Sequence, residues 1–191
     1  MSNLHAPFRY DYVGSFLRPA ELKDAKAKFA EGLISKEELD KITDLAVTDI
    51  VKKQKAAGFH VITDGEFRRT FWHLDFMWGF EGVAHENTGG GVQFNSELAV
   101  LDDTYLVGKV KAKAHPFVGY FKFLQQFEDE NTVAKYTIPA PAQFYQQMIV
   151  PQNYEATKKF YDTNEELIRD IAIAYQDVIL SLIHISEPTR H

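Results

Sequence analysis

The sequence predicts an α/β fold in which parallel strands alternate with amphipathic helices. Short apolar runs at Phe59–Thr63 and Val133–Ile138 have the length and composition of strands buried on both faces. Helical segments with clear start and stop signals lie between and around these runs. The 191-residue chain is 45% hydrophobic and 25% charged, which is typical of a globular domain. Strands that alternate with helices favour parallel pairing, which suits either a closed barrel or a doubly wound open sheet.

The first elements are predicted from residues that mark turns and helix ends. Arg9–Val13 alternates aromatic and polar residues and is typical of a short strand, after which Gly14 and Ser15 begin a loop. Ala20–Ala30 has a helical composition and is stopped by Gly32. A strand followed by a turn and a helix is therefore expected at the start of the chain.

A capping box at Ser35–Glu38 predicts a second helix, which Gly58 ends. Apolar residues recur along it at helical spacing, and this pattern predicts its buried face. The residues of this predicted face are Leu39, Ile42, Ala46 and Ile50.

The middle of the chain departs from simple alternation. The aromatic-rich stretch Phe67–Phe80 and the glycines at 89–91 come first, followed by strand patterns at Val92–Phe94 and Leu106–Ala112. We interpret this segment as an elaborated excursion from the core of the domain.

Helices are predicted again in the last part of the chain. His115 and Pro116 open a helix that runs to Phe127, and Pro139–Pro141 breaks the strand Val133–Ile138. A loop is expected around Pro151. A second capping box at Thr163–Glu166 starts or continues a long final helix.

Composition excludes several classes of function. The net charge of -6 and the absence of clustered Lys and Arg argue against a nucleic-acid partner. No apolar run reaches the roughly 18 residues needed to cross a bilayer, and no signal peptide is evident, so we expect a cytoplasmic protein with no membrane partner. There is no cysteine, which excludes disulfides and thiolate metal ligands.

Three groups of candidate site residues fall where predicted strands end: Val13–Ser15, Asp64–Glu66 with Arg68 and Arg69, and Ile138–Phe144. In a parallel α/β fold such strand ends lie on one face and converge on the ligand. Glu66 held against Arg68 or Arg69 could bind a substrate ammonium group, or the pair could be an ordinary salt bridge. Ser15 could contact a ligand or cap a helix.

Other chemically capable residues give weaker patterns. His60, His73, His85 and His115 do not show a metal-ligand spacing, and of these we retain only His73, next to Trp72, as a site candidate. The glycines at 89–91 lack the lysine of a phosphate loop. A cluster of six aromatic residues could stack a flat heterocycle or form a small core of its own. These aromatic residues are Phe67, Phe71, Trp72, Phe76, Trp78 and Phe80.

Three segments carry a family resemblance: Asp11–Pro19 (DYVGSFLRP), Gln54–Gly58 (QKAAG) and Val61–Arg69 (VITDGEFRR). In order and separation they resemble the catalytic domain of the cobalamin-independent methionine synthases, and they match the smaller single-domain relatives best. The resemblance extends to Ile179. It implies a TIM-type (β/α)8 barrel, of which residues 1–179 would be roughly the first half, because a complete barrel takes about 250 residues.

The resemblance also implies an activity: a zinc-dependent methyltransferase that moves a methyl group from a methylated folate, 5-methyltetrahydropteroyl-glutamate, to homocysteine and so forms methionine. Zinc would hold the homocysteine sulfur as a thiolate by lowering the pKa of the thiol. Gly14 and Ser15 would hold the carboxylate end of the amino acid and Glu66 would pair with its ammonium group. None of these residues would act as a nucleophile.

The roles of the remaining candidates stay open at this point. Arg69 and Arg68 correspond to the stretch that follows the glutamate, whereas Trp72 and His73 belong to a segment specific to the smaller relatives. The family's zinc ligands, a His-x-Cys pair and a later cysteine, have no counterpart in a chain without cysteine. We therefore expect no catalytic residue and no metal ligand in this chain, and no activity from it alone.

The last residues have a different character. Residues 180–190 (LSLIHISEPTR) match the translation of a transposase-based sequencing adapter, so we expect 1–179 to be the native part and 180–191 to be foreign. Two alternatives to the leading function remain: a related barrel enzyme with another methyl donor or acceptor or with decarboxylase chemistry, and a non-catalytic module that binds a small molecule.

Overall fold

A computed structural model describes residues 12–89, 91–94, 97–100 and 102–186 of the chain. Within these ranges helices and short strands alternate irregularly, and no helix is long and apolar enough to span a bilayer. The elements are α1 (Ala20–Ala30), α2 (Lys36–Ala56), β1 (Val61–Ile62), α3 (Leu74–Met77), β2 (Glu81–Glu86), β3 (Gly91–Phe94), β4 (Glu97–Val100), β5 (Asp103–Lys111), α4 (Pro116–Gln125), β6 (Val133–Ala134), α5 (Pro141–Ile149), α6 (Pro151–Lys158) and α7 (Asn164–Ser186).

The chain forms two compact units. Among the described residues the first contains 12–70 and Phe121–Thr137, and the second contains Phe71–Tyr120 and the residues from Ile138 onwards. In the first unit β1 and β6 pair in parallel, with Val61 opposite Val133 and Ile62 opposite Ala134. The predicted parallel pairing is therefore confirmed for these two strands. Over the ranges listed above, the strands form three two-stranded sheets and no closed barrel.

The core of the first unit lies between its helices and the parallel pair. Its fully buried members are Leu22, Val47, Val51, Ile62, Phe67 and Leu124. The predicted helix Ala20–Ala30 is confirmed as α1, and the capping box of α2 is confirmed in both directions. The predicted face of α2, Leu39, Ile42, Ala46 and Ile50, packs against this core but is only partly buried. The fully buried positions of α2 are Thr43, Val47, Val51 and Gln54.

Both parallel strands are shorter than predicted. The strand expected over Phe59–Thr63 is limited to Val61–Ile62, because the Gln54 side chain takes the backbone bonds of Thr63: Thr63 N–H donates to Gln54 Oε1 at 2.9 Å and Gln54 Nε2 donates to the Thr63 carbonyl at 2.8 Å. The strand expected over Val133–Ile138 stops at Ala134. Tyr12 and Val13 are not in a strand, and residues 9–11 of that prediction lie outside the described residues.

The second unit contains the antiparallel pairs β2–β5 and β3–β4. The strands predicted at Val92–Phe94 and Leu106–Ala112 are confirmed as β3 and β5, whereas their partners β2 and β4 were not predicted. Phe76 and Phe80 are fully buried against His115 and Tyr175, so part of the aromatic stretch is a core. Gly82, at φ 83°, crosses β5 so closely that a Cβ would lie 2.4 Å from the Lys109 carbonyl oxygen.

Three helices of the second unit were not predicted: the short α3 within the aromatic-rich stretch, α5 and α6. The sequence predicted a strand break at Pro139–Pro141 and a loop around Pro151. In the structure Pro141 begins α5 and Pro151 begins α6. A proline is tolerated in the first turn of a helix because the N–H that it lacks has no partner there. Helix α7 starts at Asn164, where Thr163 Oγ1 accepts the Glu166 N–H, and continues to Ser186. The boundary expected at Ile179 stays a prediction, and residues 187–191 lie outside the described residues.

Candidate functional site

The candidate site is built on the turn that follows β1 in the first unit. Gly65 and Glu66 both adopt left-handed backbone conformations, with φ of 65° and 57°. Such a conformation is uncommon for a residue with a side chain and costs about 1–3 kcal/mol. Asp64, which is 3% exposed, stabilises the turn because its Oδ1 accepts the Glu66 N–H at 2.9 Å. The sequence DGE thus forms a rigid turn that fixes the direction of the Glu66 side chain.

The Glu66 carboxylate has one occupied and one available oxygen. Arg69 Nη1 and Thr137 Oγ1 both lie 3.4 Å from Glu66 Oε1. Within the part of the chain that the structure describes, no hydrogen bond reaches Glu66 Oε2, and the Glu66 side chain is 13% exposed. An oxygen in this position can accept a hydrogen bond from a positively charged ligand.

Arg69 supplies the compensating charge beside Glu66. It is 2% exposed, its Nη2 donates to the Thr137 carbonyl at 2.5 Å, and its guanidinium carbon lies 4.9 Å from the centre of the Tyr136 ring. Arg69 is thus a buried cation held by a carbonyl, a ring and a carboxylate. It places a positive charge directly beside the Glu66 carboxylate.

Tyr136 connects the second strand end to the turn. Its hydroxyl donates to Asp64 Oδ2 at 2.8 Å. Burial, together with the negative charge of Asp64, raises the pKa of Tyr136 well above its ordinary value, so its hydroxyl keeps its proton and remains a donor.

The predicted Gly14–Ser15 loop lies beside this turn. The Phe16 N–H donates to the Gly65 carbonyl at 3.1 Å, and Arg18 Nη2 donates to the carbonyls of Glu66 and Arg69 at 3.1 and 2.9 Å. Gly14 has φ 96° and Ser15 is exposed. The structure therefore brings the loop and the Glu66 turn together, although Tyr12 and Val13 before the loop are not in a strand.

The two arginines that follow Glu66 have different partners. Arg69 faces Glu66, whereas Arg68 Nη2 lies 2.5 Å from Asp44 Oδ1 on α2 and its guanidinium carbon lies 5.0 Å from the Phe123 ring centre. Of the two predicted pairings with Glu66, the structure shows the one with Arg69. Arg68 ties the turn to α2.

Trp72 and His73 belong to the second unit. Trp72 is half exposed and its ring centroid lies 4.6 Å from that of His73. Burial lowers the pKa of His73 below its ordinary value, although the charge of Asp75 opposes the shift. A role for these two residues in binding the ligand of Glu66 stays a prediction.

The residues present do not fit a zinc site. The sequence contains no cysteine, and over 12–89, 91–94, 97–100 and 102–186 no group of three or more His, Asp or Glu side chains could hold a metal ion. Asp64 is bonded through both of its oxygens, to Tyr136 and to the Glu66 N–H, and Glu66 is bonded through Oε1 to Arg69 and Thr137.

Asp64 lies in one of the predicted groups, but its role as a bridge between the turn and Tyr136 was not predicted. Sequence reasoning missed two residues of the cluster, Tyr136 and Thr137. Their position was the available signal, because they stand near the end of the second predicted parallel strand, where functional side chains collect. The pairing of that strand with β1 could not be read from the sequence.

Comparison with known proteins places the chain in a family. A family model described as the catalytic domain of cobalamin-independent synthase matches residues 10–111. The uncharacterized protein YxjH of Bacillus subtilis is 38% identical over 174 residues, which cover 91% of this chain and 44% of YxjH.

Two solved structures show the same fold. A Listeria monocytogenes protein, assigned as a vitamin-B12-independent methionine synthase, has a TM-score of 0.74 and 34% identity, over 96% of this chain and 50% of that one. A B12-independent methionine synthase from Shewanella, solved in complex with selenomethionine, has a TM-score of 0.56 and 20% identity, over 80% of this chain and 41% of that one. The chain spans about half the length of these relatives.

Proposed function

The chain belongs to the cobalamin-independent methionine synthase family, and on this premise we propose that the turn Asp64–Arg69 binds the ammonium group of homocysteine in a methyl-transfer reaction. The observation that carries the proposal is the Glu66 carboxylate, which has Oε1 held by Arg69 and Thr137 and Oε2 available to a ligand. A charge-assisted hydrogen bond from an ammonium group to such an oxygen is about twice as strong as a neutral one.

The neighbouring loop suits the other end of the amino acid. Phe16, two residues after Gly14, is hydrogen-bonded to the turn, and the exposed Ser15 offers a hydroxyl and a backbone N–H to a carboxylate. The Shewanella protein was solved with an amino acid, selenomethionine, which supports an amino-acid ligand for the family. The thiol end of homocysteine would then point away from Glu66.

We further propose that the methyl donor is a methylated folate and that the complete domain is a (β/α)8 barrel. The family membership supports both proposals, and the parallel pair β1–β6 supports the barrel. In such a reaction the homocysteine sulfur takes the methyl carbon and the donor nitrogen keeps the bonding electrons. The residues of this chain would bind and orient the acceptor, and no step is assigned to zinc, because the residues present do not fit it.

The proposal is tested by titrating the 191-residue chain with L-homocysteine in a calorimeter. Glu66→Gln should weaken binding about 10- to 100-fold, since a hydrogen bond to a charged group contributes about 1.5–3 kcal/mol. Glu21→Gln, which changes an exposed glutamate of α1, serves as the matched control and should bind as the parent does.

A second ligand isolates the ammonium group. 4-Mercaptobutanoic acid is homocysteine without its amino group, and the parent should bind it as weakly as Glu66→Gln binds homocysteine. Equal affinity of parent and Glu66→Gln for homocysteine would remove Glu66 from the site. Equal affinity of the parent for the two ligands would show that the ammonium group is not recognised.

A further inference from the structure

Two hydrogen bonds in series connect Tyr136 to the backbone of Glu66. The Tyr136 hydroxyl donates to Asp64 Oδ2 at 2.8 Å, and the Glu66 N–H donates to Asp64 Oδ1 at 2.9 Å. Asp64 is 3% exposed, so its carboxylate depends on these donors in place of water. The proposed ligand-binding residue is thus connected to a side chain 70 positions away through one buried carboxylate.

This connection matters because the conformation of Glu66 is strained. At φ 57° the Glu66 backbone would relax to an ordinary conformation if its N–H lost its acceptor, and the carboxylate would then point elsewhere. A buried acceptor is held in one orientation only while all its donors are in place. Asp64 therefore keeps its alignment with the Glu66 N–H only while Tyr136 holds the other oxygen.

Tyr136 also contacts the other partner of Glu66. The Arg69 guanidinium lies over the Tyr136 ring at 4.9 Å, and Arg69 Nη1 reaches Glu66 Oε1. The Tyr136 hydroxyl also hydrogen-bonds the Arg69 side chain, in addition to its bond to Asp64. Replacement by phenylalanine removes both bonds of the hydroxyl and keeps the ring, and exchange of the Glu66 amide reports on the bond that runs through Asp64.

We propose that Tyr136 is a positioning residue for amino-acid binding, which acts through Asp64 to hold Glu66 in its left-handed conformation with Oε2 towards the ligand. The inference rests on the proposed function for its ligand, homocysteine. Its structural half, the control of Glu66 by the Tyr136 hydroxyl, does not depend on that ligand.

The test combines hydrogen exchange of the ligand-free chain with calorimetry. In Tyr136→Phe the Glu66 amide should exchange at least tenfold faster than in the parent, and homocysteine should bind about tenfold more weakly. Tyr154→Phe makes the same chemical change on an exposed tyrosine of α6 and should alter neither quantity. Thermal melting of each variant establishes that it is folded.

Epistasis distinguishes positioning from general destabilisation. If the Tyr136 hydroxyl acts on Glu66 through Asp64 and not through Arg69, Tyr136→Phe should add no further loss of affinity once Asp64 is replaced by alanine. Additive losses, or unchanged exchange of the Glu66 amide in Tyr136→Phe, would overturn the inference. If Asp64→Ala does not fold, the exchange of the Glu66 amide in Tyr136→Phe decides alone.

The two proposals fail in different ways. If the parent chain does not bind homocysteine, the proposed function fails, while the exchange result still tests the coupling of Tyr136 to Glu66. If the parent binds homocysteine and Tyr136→Phe matches it in affinity and in exchange, the positioning role fails and Glu66 keeps its function.

Discussion

His115 shows how a single residue of the second unit ties stability to pH. Its Nε2 lies 2.9 Å from the Phe76 carbonyl and its Nδ1 accepts the Phe117 N–H at 3.3 Å, so the neutral ring with its proton on Nε2 satisfies both contacts. A second proton would have to lie on Nδ1, facing an N–H donor. Burial lowers the pKa of His115 from 6.5 to about 4 against the opposing Phe76 hydrogen bond, and the charge of Lys113 adds to the lowering.

The sign of the effect follows from linkage. Well above pH 6.5 the His115 ring is neutral in both the folded and the unfolded chain. As the pH falls towards 4, the unfolded chain takes up a proton that the folded chain does not. The free energy of unfolding should therefore decrease by about 3 kcal/mol over this range, as measured by urea denaturation. His115→Gln should lack this decrease, whereas His60→Gln, at an exposed position, should retain it. An unchanged slope in His115→Gln would contradict the assignment.

At the scale of elements, α2 holds the candidate turn from its C-terminal end. Its capping box lies at the other end, where Ser35 Oγ accepts the Glu38 N–H at 3.2 Å and Glu38 Oε2 accepts the Ser35 N–H at 2.8 Å. Ser35→Ala should lower the free energy of unfolding by about 1 kcal/mol, as measured in urea, because one donor of the first turn loses its acceptor.

The same variant separates stability from binding. The homocysteine affinity of Ser35→Ala should equal that of the parent, because Gln54, which fixes Thr63 before the turn, lies five helical turns away at the far end of α2. Ser35→Asp keeps a side-chain acceptor and should recover most of the lost stability. A loss of affinity in Ser35→Ala would show that the cap reaches the turn.

The elements that the sequence predicted well are those set by neighbouring residues. Helices α1 and α2 follow from periodicity, a capping box and glycine stops, and all three signals act within a few residues. The strand ends were wrong because the length of β1 is set by Gln54, a side chain on the preceding helix. Helices α5 and α6 were missed because a proline has the same appearance whether it breaks a strand or starts a helix.

In the candidate site, too, contacts between neighbouring residues could be predicted and contacts between distant residues could not. Glu66 and Arg69 are three residues apart, so their pairing could be expected from the sequence. The contacts of Glu66 with Thr137 and of Asp64 with Tyr136 join residues about 70 positions apart, and they depend on which strand pairs with β1. No local sequence pattern specifies which strand pairs with β1. The contacts of Tyr136 and Thr137 with the turn therefore became visible only in the structure.

At the scale of the whole molecule, the chain spans about half the length of its relatives, and its first unit carries only a two-stranded parallel sheet among the described residues. Parallel strands are normally buried within larger sheets, and unpaired strand edges are templates for association. The first unit also exposes Val13, Leu17, Leu33 and Leu45 by between 67% and 94%. We therefore expect the 191-residue chain to self-associate as its concentration rises, as measured by light scattering after size exclusion.

The barrel proposal makes this expectation specific. If the exposed edges and apolar side chains belong to the interior of a larger domain, co-expression with the portion of the Listeria protein that the chain does not cover should yield a soluble complex and suppress self-association. An unrelated barrel half serves as the control and should not rescue the chain. The result that would contradict both expectations is a chain that, on its own, is a monodisperse monomer and melts cooperatively. Such behaviour would show that its hydrophobic core is complete without a second protein.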